Sequence, residues 1–113
     1  PKRLLNMSAS DFAATSPMDL KQAILASEGR TIMAENDPLG GVTNAEIERA
    51  AGADLLLFNA LDVFDPVIAG IPDDLNENPV TWVKRACGRP IGVNLEPVDN
   101  EAEMSESRTE IPM

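Results

Sequence analysis

At 113 residues, 43% of them apolar, the chain is long enough for one modest domain and too apolar to be disordered throughout. Nineteen acidic residues against nine basic ones leave a formal charge of −10, and no stretch gathers Lys and Arg on one face, which argues against nucleic acid and anionic membranes as partners. The absence of histidine excludes His-based acid/base catalysis, His triads and His metal sites within this chain, so chemistry here falls to carboxylates, amides, Lys, Arg or a hard metal ion.

Only 4% of residues are aromatic, so the core must be built from Leu, Ile, Val, Ala and Met. No apolar run approaches the roughly 20 residues of a membrane-spanning helix, and the first residues lack the zones of a signal peptide. A cytoplasmic location is the resulting expectation. The single cysteine, Cys87, has no internal disulfide partner and reads as a buried packing residue rather than a nucleophile.

Residues 1–7 show little periodicity. Ser10 ahead of Asp11-Phe12-Ala13-Ala14 predicts a short capped helix, and Ser16-Pro17-Met18-Asp19 opens a longer one with a capping residue and proline at its first position. In that second helix Leu20, Ile24 and Leu25 share a face expected to dock on a sheet, and Gly29 ends it. Thr31 to Asn36 then reads as a first strand.

Asp37-Pro38-Leu39-Gly40-Gly41 is rich in turn formers. Thr43 and Glu46 have the spacing of a capping box for a helix over 44–51, with Ile47, Ala50 and Ala51 as its apolar side. The backbone N–H groups at Gly40-Gly41 could meet a phosphate, but the segment reads equally as a simple turn, and neither GxGxxG nor GxxxxGK[ST] occurs. Gly52 stops the helix, and Asp54 to Asn59 predicts a strand whose four consecutive apolar residues suit burial on both faces.

The connection from Ala60 to Asn78 is long, with Pro66, Gly70, Pro72 and the acids Asp73, Asp74 and Glu77. It reads either as an active-site loop or as an exposed excursion. Asn78-Pro79 starts a helix with Val80, Val83 and Ala86 or Cys87 toward the sheet and Trp82 on its flank. Gly88 ends it, and Ile91 to Glu96 predicts the third strand. Residues 1–98 thus form one segment, and 99–113 an acidic loop or tail.

A phrase recurs three times at Gly29, Gly52 and Gly88: a helix-ending glycine, a short link, then an apolar run closing on amide and acid side chains. Three helix-to-strand steps predict an α/β fold with three parallel strands and flanking helices. Ligands of such sheets bind at the carboxyl ends of the strands. There the alternation of side chains gathers Glu35, Asn59, Asn94 and Glu96 at one rim, with Asn36 beside them, Asp62 and Asp65 just past the second strand, and Gly92 leaving room beneath. Glu35 and Glu96 are the candidate catalytic carboxylates, either able to act as a general base. Asn36, Asn59, Asp62 and Asn94 are the candidate substrate-binding residues. The same oxygens could hold a divalent cation such as Mg²⁺, but no metal ligands are assigned. The other reading of each is a hydrated strand-end group or a cap on the next loop.

The segments Leu4-Leu5-Asn6-Met7-Ser8-Ala9-Ser10-Asp11-Phe12, Gly41-Val42-Thr43-Asn44-Ala45-Glu46 and Gly88-Arg89-Pro90-Ile91-Gly92-Val93-Asn94-Leu95-Glu96-Pro97 resemble the start of a bacterial family of largely uncharacterised (β/α)8-barrel proteins. Its members are loosely similar to phosphoenolpyruvate phosphomutases and phosphosugar-binding barrels. The resemblance implies the first three strands of a partial TIM-type barrel, a substrate site at their ends for a small phosphorylated or carboxylated metabolite, and a phosphate held elsewhere. The phosphomutase and isocitrate-lyase relatives hold Mg²⁺ with clustered aspartates after their early strands, where this chain has Asn59, Asn94 and Glu96. Since a barrel takes about 250 residues, the expectation is a fragment, inactive alone, that depends on further chain or on a homo-oligomer. A non-catalytic α/β interaction module is the alternative.

Overall fold

In the computed structural model, which describes residues 2–97 and 110–111, three short strands form one parallel sheet. They are β1 (Met33–Asn36), β2 (Leu55–Phe58) and β3 (Ile91–Val93), side by side in chain order. Met33, Ala34, Glu35 and Asn36 stand opposite Leu55, Leu56, Leu57 and Phe58, and Leu56, Leu57 and Phe58 opposite Ile91, Gly92 and Val93. The α/β class and the three parallel strands therefore hold. Ahead of β1 lie α1 (Ala9–Ala14) and α2 (Pro17–Ala26), while α3 (Gly41–Ala50) and α4 (Pro79–Cys87) form the two crossovers.

Alternation along the strands separates two faces. Ala34, Leu56, Phe58, Ile91 and Val93 lie under Val42 and Ala45 of α3 and Val83 and Cys87 of α4, in one core. Leu56, Phe58 and Val83 are fully enclosed, and each such side chain contributes roughly 1.5–3 kcal/mol relative to exposure. The opposite face carries Met33, Glu35, Leu55, Leu57 and Gly92. A second cluster of Leu4, Phe12 and Ala23 packs only on its amino end, against Leu55.

Local chemistry accounts for the helix ends. Asn78 accepts the Val80 N–H with Pro79 in the first turn of α4, and Gly88 closes that helix at φ +65°. Ser16 accepts the Asp19 N–H at the start of α2. The cap of α1 is Ser8 and not Ser10. Ser8 Oγ accepts the Asp11 N–H while the Asp11 carboxylate accepts the Ser8 N–H, a reciprocal pairing that needs a three-residue spacing.

The faces of α2 and α3 differ from expectation. Helix α2 packs through Leu20 and Ala23 on Leu4 and Phe12, in the cluster that meets the sheet only at Leu55 among the described residues, and Leu25 is 62% exposed. The buried hydroxyl of Ser27 fixes that arrangement, donating to the Ala23 carbonyl and accepting the Leu4 N–H. Helix α3 starts at Gly41, so Thr43 and Glu46 lie within it and form no capping box. Its buried side is Gly41, Val42 and Ala45, and Ile47 is 61% exposed.

The long connection after β2 is tied down. Leu61 and Ile68 enter the main core, the Ala69 N–H donates to Pro38 O at 2.8 Å, and Ala69 O accepts the Val42 N–H at 3.0 Å. The third strand stops at Val93. Glu96–Pro97 forms β4, paired in parallel with β5 (Glu110–Ile111) in a separate two-stranded sheet. No described helix is long and apolar enough to cross a membrane.

Candidate functional site

The carboxyl ends of β1 and β2 open into two adjoining depressions that share Asp37. One, of about 370 Å³, is lined by Glu35, Asn36, Asp37, Asn44, Glu48 and Asn59. The other, of about 520 Å³, lies between Asp37, Asp62 and Asp65 with Leu39, Leu61 and Val67 as apolar wall. The hydrogen-bond ladder runs one step beyond the strands, since the Asn59 N–H donates to Asn36 O and the Asn94 N–H to Phe58 O. Ala60 follows in the left-handed region at φ +57°, which turns the chain sharply away from the sheet at the site.

Of the residues expected at the rim, Glu35 and Asn59 share the first depression, and Glu35 is exposed beside it. Asp62 lines the second, its Oδ1 accepting the Phe64 N–H at 2.9 Å. Asn94 is exposed one residue past β3. Gly92 leaves no empty space beneath the rim, because a Cβ there would meet Leu57 Cδ1 at 3.2 Å. The expectation for Glu96 concerns a side chain outside the described residues, and its backbone belongs to β4 rather than to β3.

Asn36 has a different occupation. It is 8% exposed, its Nδ2 donates to Gly41 O at 2.8 Å, and its Oδ1 accepts the Asp37 N–H at 2.9 Å. Both ends of the amide hold the β1–α3 turn. The N–H groups of that turn are spent as well: Gly40 donates to Asp37 Oδ1, Gly41 to Asp37 O, and Val42 to Ala69 O. The phosphate-accepting turn considered from the sequence is thus saturated by the protein's own oxygens.

Glu48 was not singled out in the sequence, yet it lies in the depression with Glu35 and has a buried, unpartnered Oε2. Burial raises its pKa, favouring the protonated carboxyl. The signal that could have found it is its spacing: three residues after Ala45, it falls on the buried side of α3 once the helix starts at Gly41. Cys87 is buried, and desolvation raises its thiol pKa, which suits packing and not nucleophilic attack.

Among the described residues, carboxylates line both depressions and no Lys or Arg does. Such a rim attracts cations and hydrogen-bond donors and repels phosphate. Among the described residues no three Asp, Glu or Cys side chains converge closely enough to hold a metal ion.

No curated protein and no solved structure matches this chain. One family model does, over residues 5–113, described as a domain of unknown function, DUF7916. That match spans nearly the whole sequence, and the chain belongs to the DUF7916 family.

Proposed function

We propose that the chain supplies the first three strands, with the helices that link them, of a (β/α)8-type enzyme acting on a small phosphorylated or carboxylated metabolite, in the manner of phosphomutase- and lyase-like barrels. The winding carries this reading. Three parallel strands stand in chain order with both crossover helices packed into one core on one face. In doubly wound sheets the strand order reverses and helices cover both faces, whereas a barrel keeps its helices outside and its strands in sequence. The face that no described helix covers, with Met33, Glu35, Leu57 and Gly92, then becomes the barrel interior.

At the strand ends Glu35 serves as the base that takes a proton next to a carbonyl or carboxylate, with Glu96 as the second catalytic carboxylate. Glu48, whose buried Oε2 has no partner, offers a further polar contact in the same depression. Asn59 and Asn94 orient the substrate, and Asp62 receives a hydrogen-bond donor of it. The acidic rim requires the phosphate end of any phosphorylated substrate to lie elsewhere. In the full-length protein, Glu35→Gln and Glu96→Gln each lower turnover about 100-fold or more; unchanged turnover removes these roles.

A second reading, a non-catalytic interaction module, draws on one observation: Met33 is exposed on the uncovered face, and β1 and β3 have no outer neighbour among the described residues. Its open strand edges predict a homo-oligomer or reliance on further chain, and sedimentation as a stable, well-folded monomer contradicts that prediction.

A further inference from the structure

Away from the strand ends, α1 and α4 leave a cleft of about 390 Å³ between them, with Ala9, Phe12 and Ala13 on one side and Thr81, Lys84 and Arg85 on the other. A second depression of about 270 Å³ continues past Phe12 and Lys84 toward Ser16, Pro17 and Leu20. Lys84 therefore stands at the junction of the two.

Among the described bases that pair with no carboxylate, Lys84 and Arg89 are the two that are half-buried. Acids outnumber bases by nineteen to nine, yet half-buried Lys84 pairs with no carboxylate among the described residues. Its neighbour Arg85 is neutralised by Glu77 through both terminal guanidinium nitrogens. Arg89 adds a further cation, 5.3 Å from the centre of the Phe12 ring. The carbonyl end of α4 accounts for basic residues in its last turn. It does not account for the cavity in front of them.

A half-buried lysine that pairs with no carboxylate among the described residues, set in an apolar-walled cleft of ligand size, offers half of a charge-assisted hydrogen bond. We propose that this cleft binds a small apolar carboxylate, with the carboxylate on Lys84 Nζ and the hydrocarbon body against Phe12, Ala9 and Ala13. The site lies apart from the strand-end depressions and stands or falls independently of the function proposed for them.

The test is a titration of the full chain with phenylacetate, followed by amide NMR shifts and calorimetry, with phenylacetamide as the neutral isostere. Phenylacetate produces saturable shifts in α1 and α4, and phenylacetamide binds at least tenfold more weakly. Lys84→Met keeps the apolar stem and removes the charge, lowering phenylacetate affinity at least tenfold. Ala13→Phe fills the cleft from an exposed position on the short α1 and abolishes binding while Lys84 remains. The proposal is overturned by an absence of saturable shifts at these helices, by equal binding of acid and amide, or by undiminished affinity in Lys84→Met with its fold intact by circular dichroism.

Discussion

Gly41 and Ala69 meet backbone to backbone: a Cβ on Gly41 would fall on the Ala69 carbonyl oxygen, the same oxygen that accepts the Val42 N–H at 3.0 Å. Gly41 also sits at φ +58°, where a side chain is strained in any surroundings. Gly41→Ala should therefore destabilise the chain by about 2 kcal/mol or more, since neither partner is a flexible side chain able to move aside. Urea unfolding monitored by Trp82 fluorescence measures it. A loss below about 0.5 kcal/mol would show that the connection after β2 does not clamp the start of α3.

Neighbouring residues at the end of β1 should behave oppositely. Asn36→Ala removes a buried amide and leaves Gly41 O and the Asp37 N–H without their partner, a cost of about 1–3 kcal/mol. Glu35→Gln changes an exposed group with no hydrogen bond to the described residues and should alter stability by less than about 0.5 kcal/mol. Paired denaturation curves distinguish the residue that holds the turn from the one that faces the depression.

The glycines that close α3 and α4, the Asn78-Pro79 start, the Val80-Val83-Cys87 face and the three strands were legible because each rests on chemistry within a few residues; Gly29 does not end α2, which closes at Ser27 with Glu28 as the first left-handed residue. The side of α3 was not. Its first turn is set by Asp37 accepting from Gly40 and Gly41 and by Ala69 reaching across from a later connection, and a capping-box pattern two residues on gives no hint of that. Glu48 was missed for the same reason, since its burial follows from where α3 starts. Asn36 and Glu35 looked alike at the end of a strand. Alternation puts them on opposite faces, and only the turn geometry shows that the Asn36 amide is already used.

Glu48 gives a pH signature with a definite sign. Burial raises its pKa in the folded state above the ordinary carboxyl value of 4.5, so its protonated form favours folding. That contribution is complete below the unfolded pKa and is lost as pH rises through the higher folded pKa. Glu48→Gln, uncharged at every pH, should accordingly raise the melting temperature near neutrality and match the parent chain below about pH 4. A difference that is constant across this range would mean that charge at Glu48 is not what the fold resists.

Ala9 of α1 lies against Gly88, the cap of α4: a Cβ on Gly88 would lie 2.7 Å from Ala9 Cβ. Gly88 ends α4 at φ +65°, so Gly88→Ala carries two separable costs: a conformational one of about 1 kcal/mol and a steric one against Ala9. Ala9→Gly removes only the second. In a double-mutant cycle, Gly88→Ala should therefore cost less in the Ala9→Gly background, with a coupling of about 0.5–2 kcal/mol, while the conformational cost persists. Equal costs in both backgrounds would mean that α1 moves aside freely and that the cleft lined by Lys84 is not held at the width described. Full rescue would mean that the left-handed turn imposes nothing on alanine. Urea unfolding of the four chains decides among these outcomes.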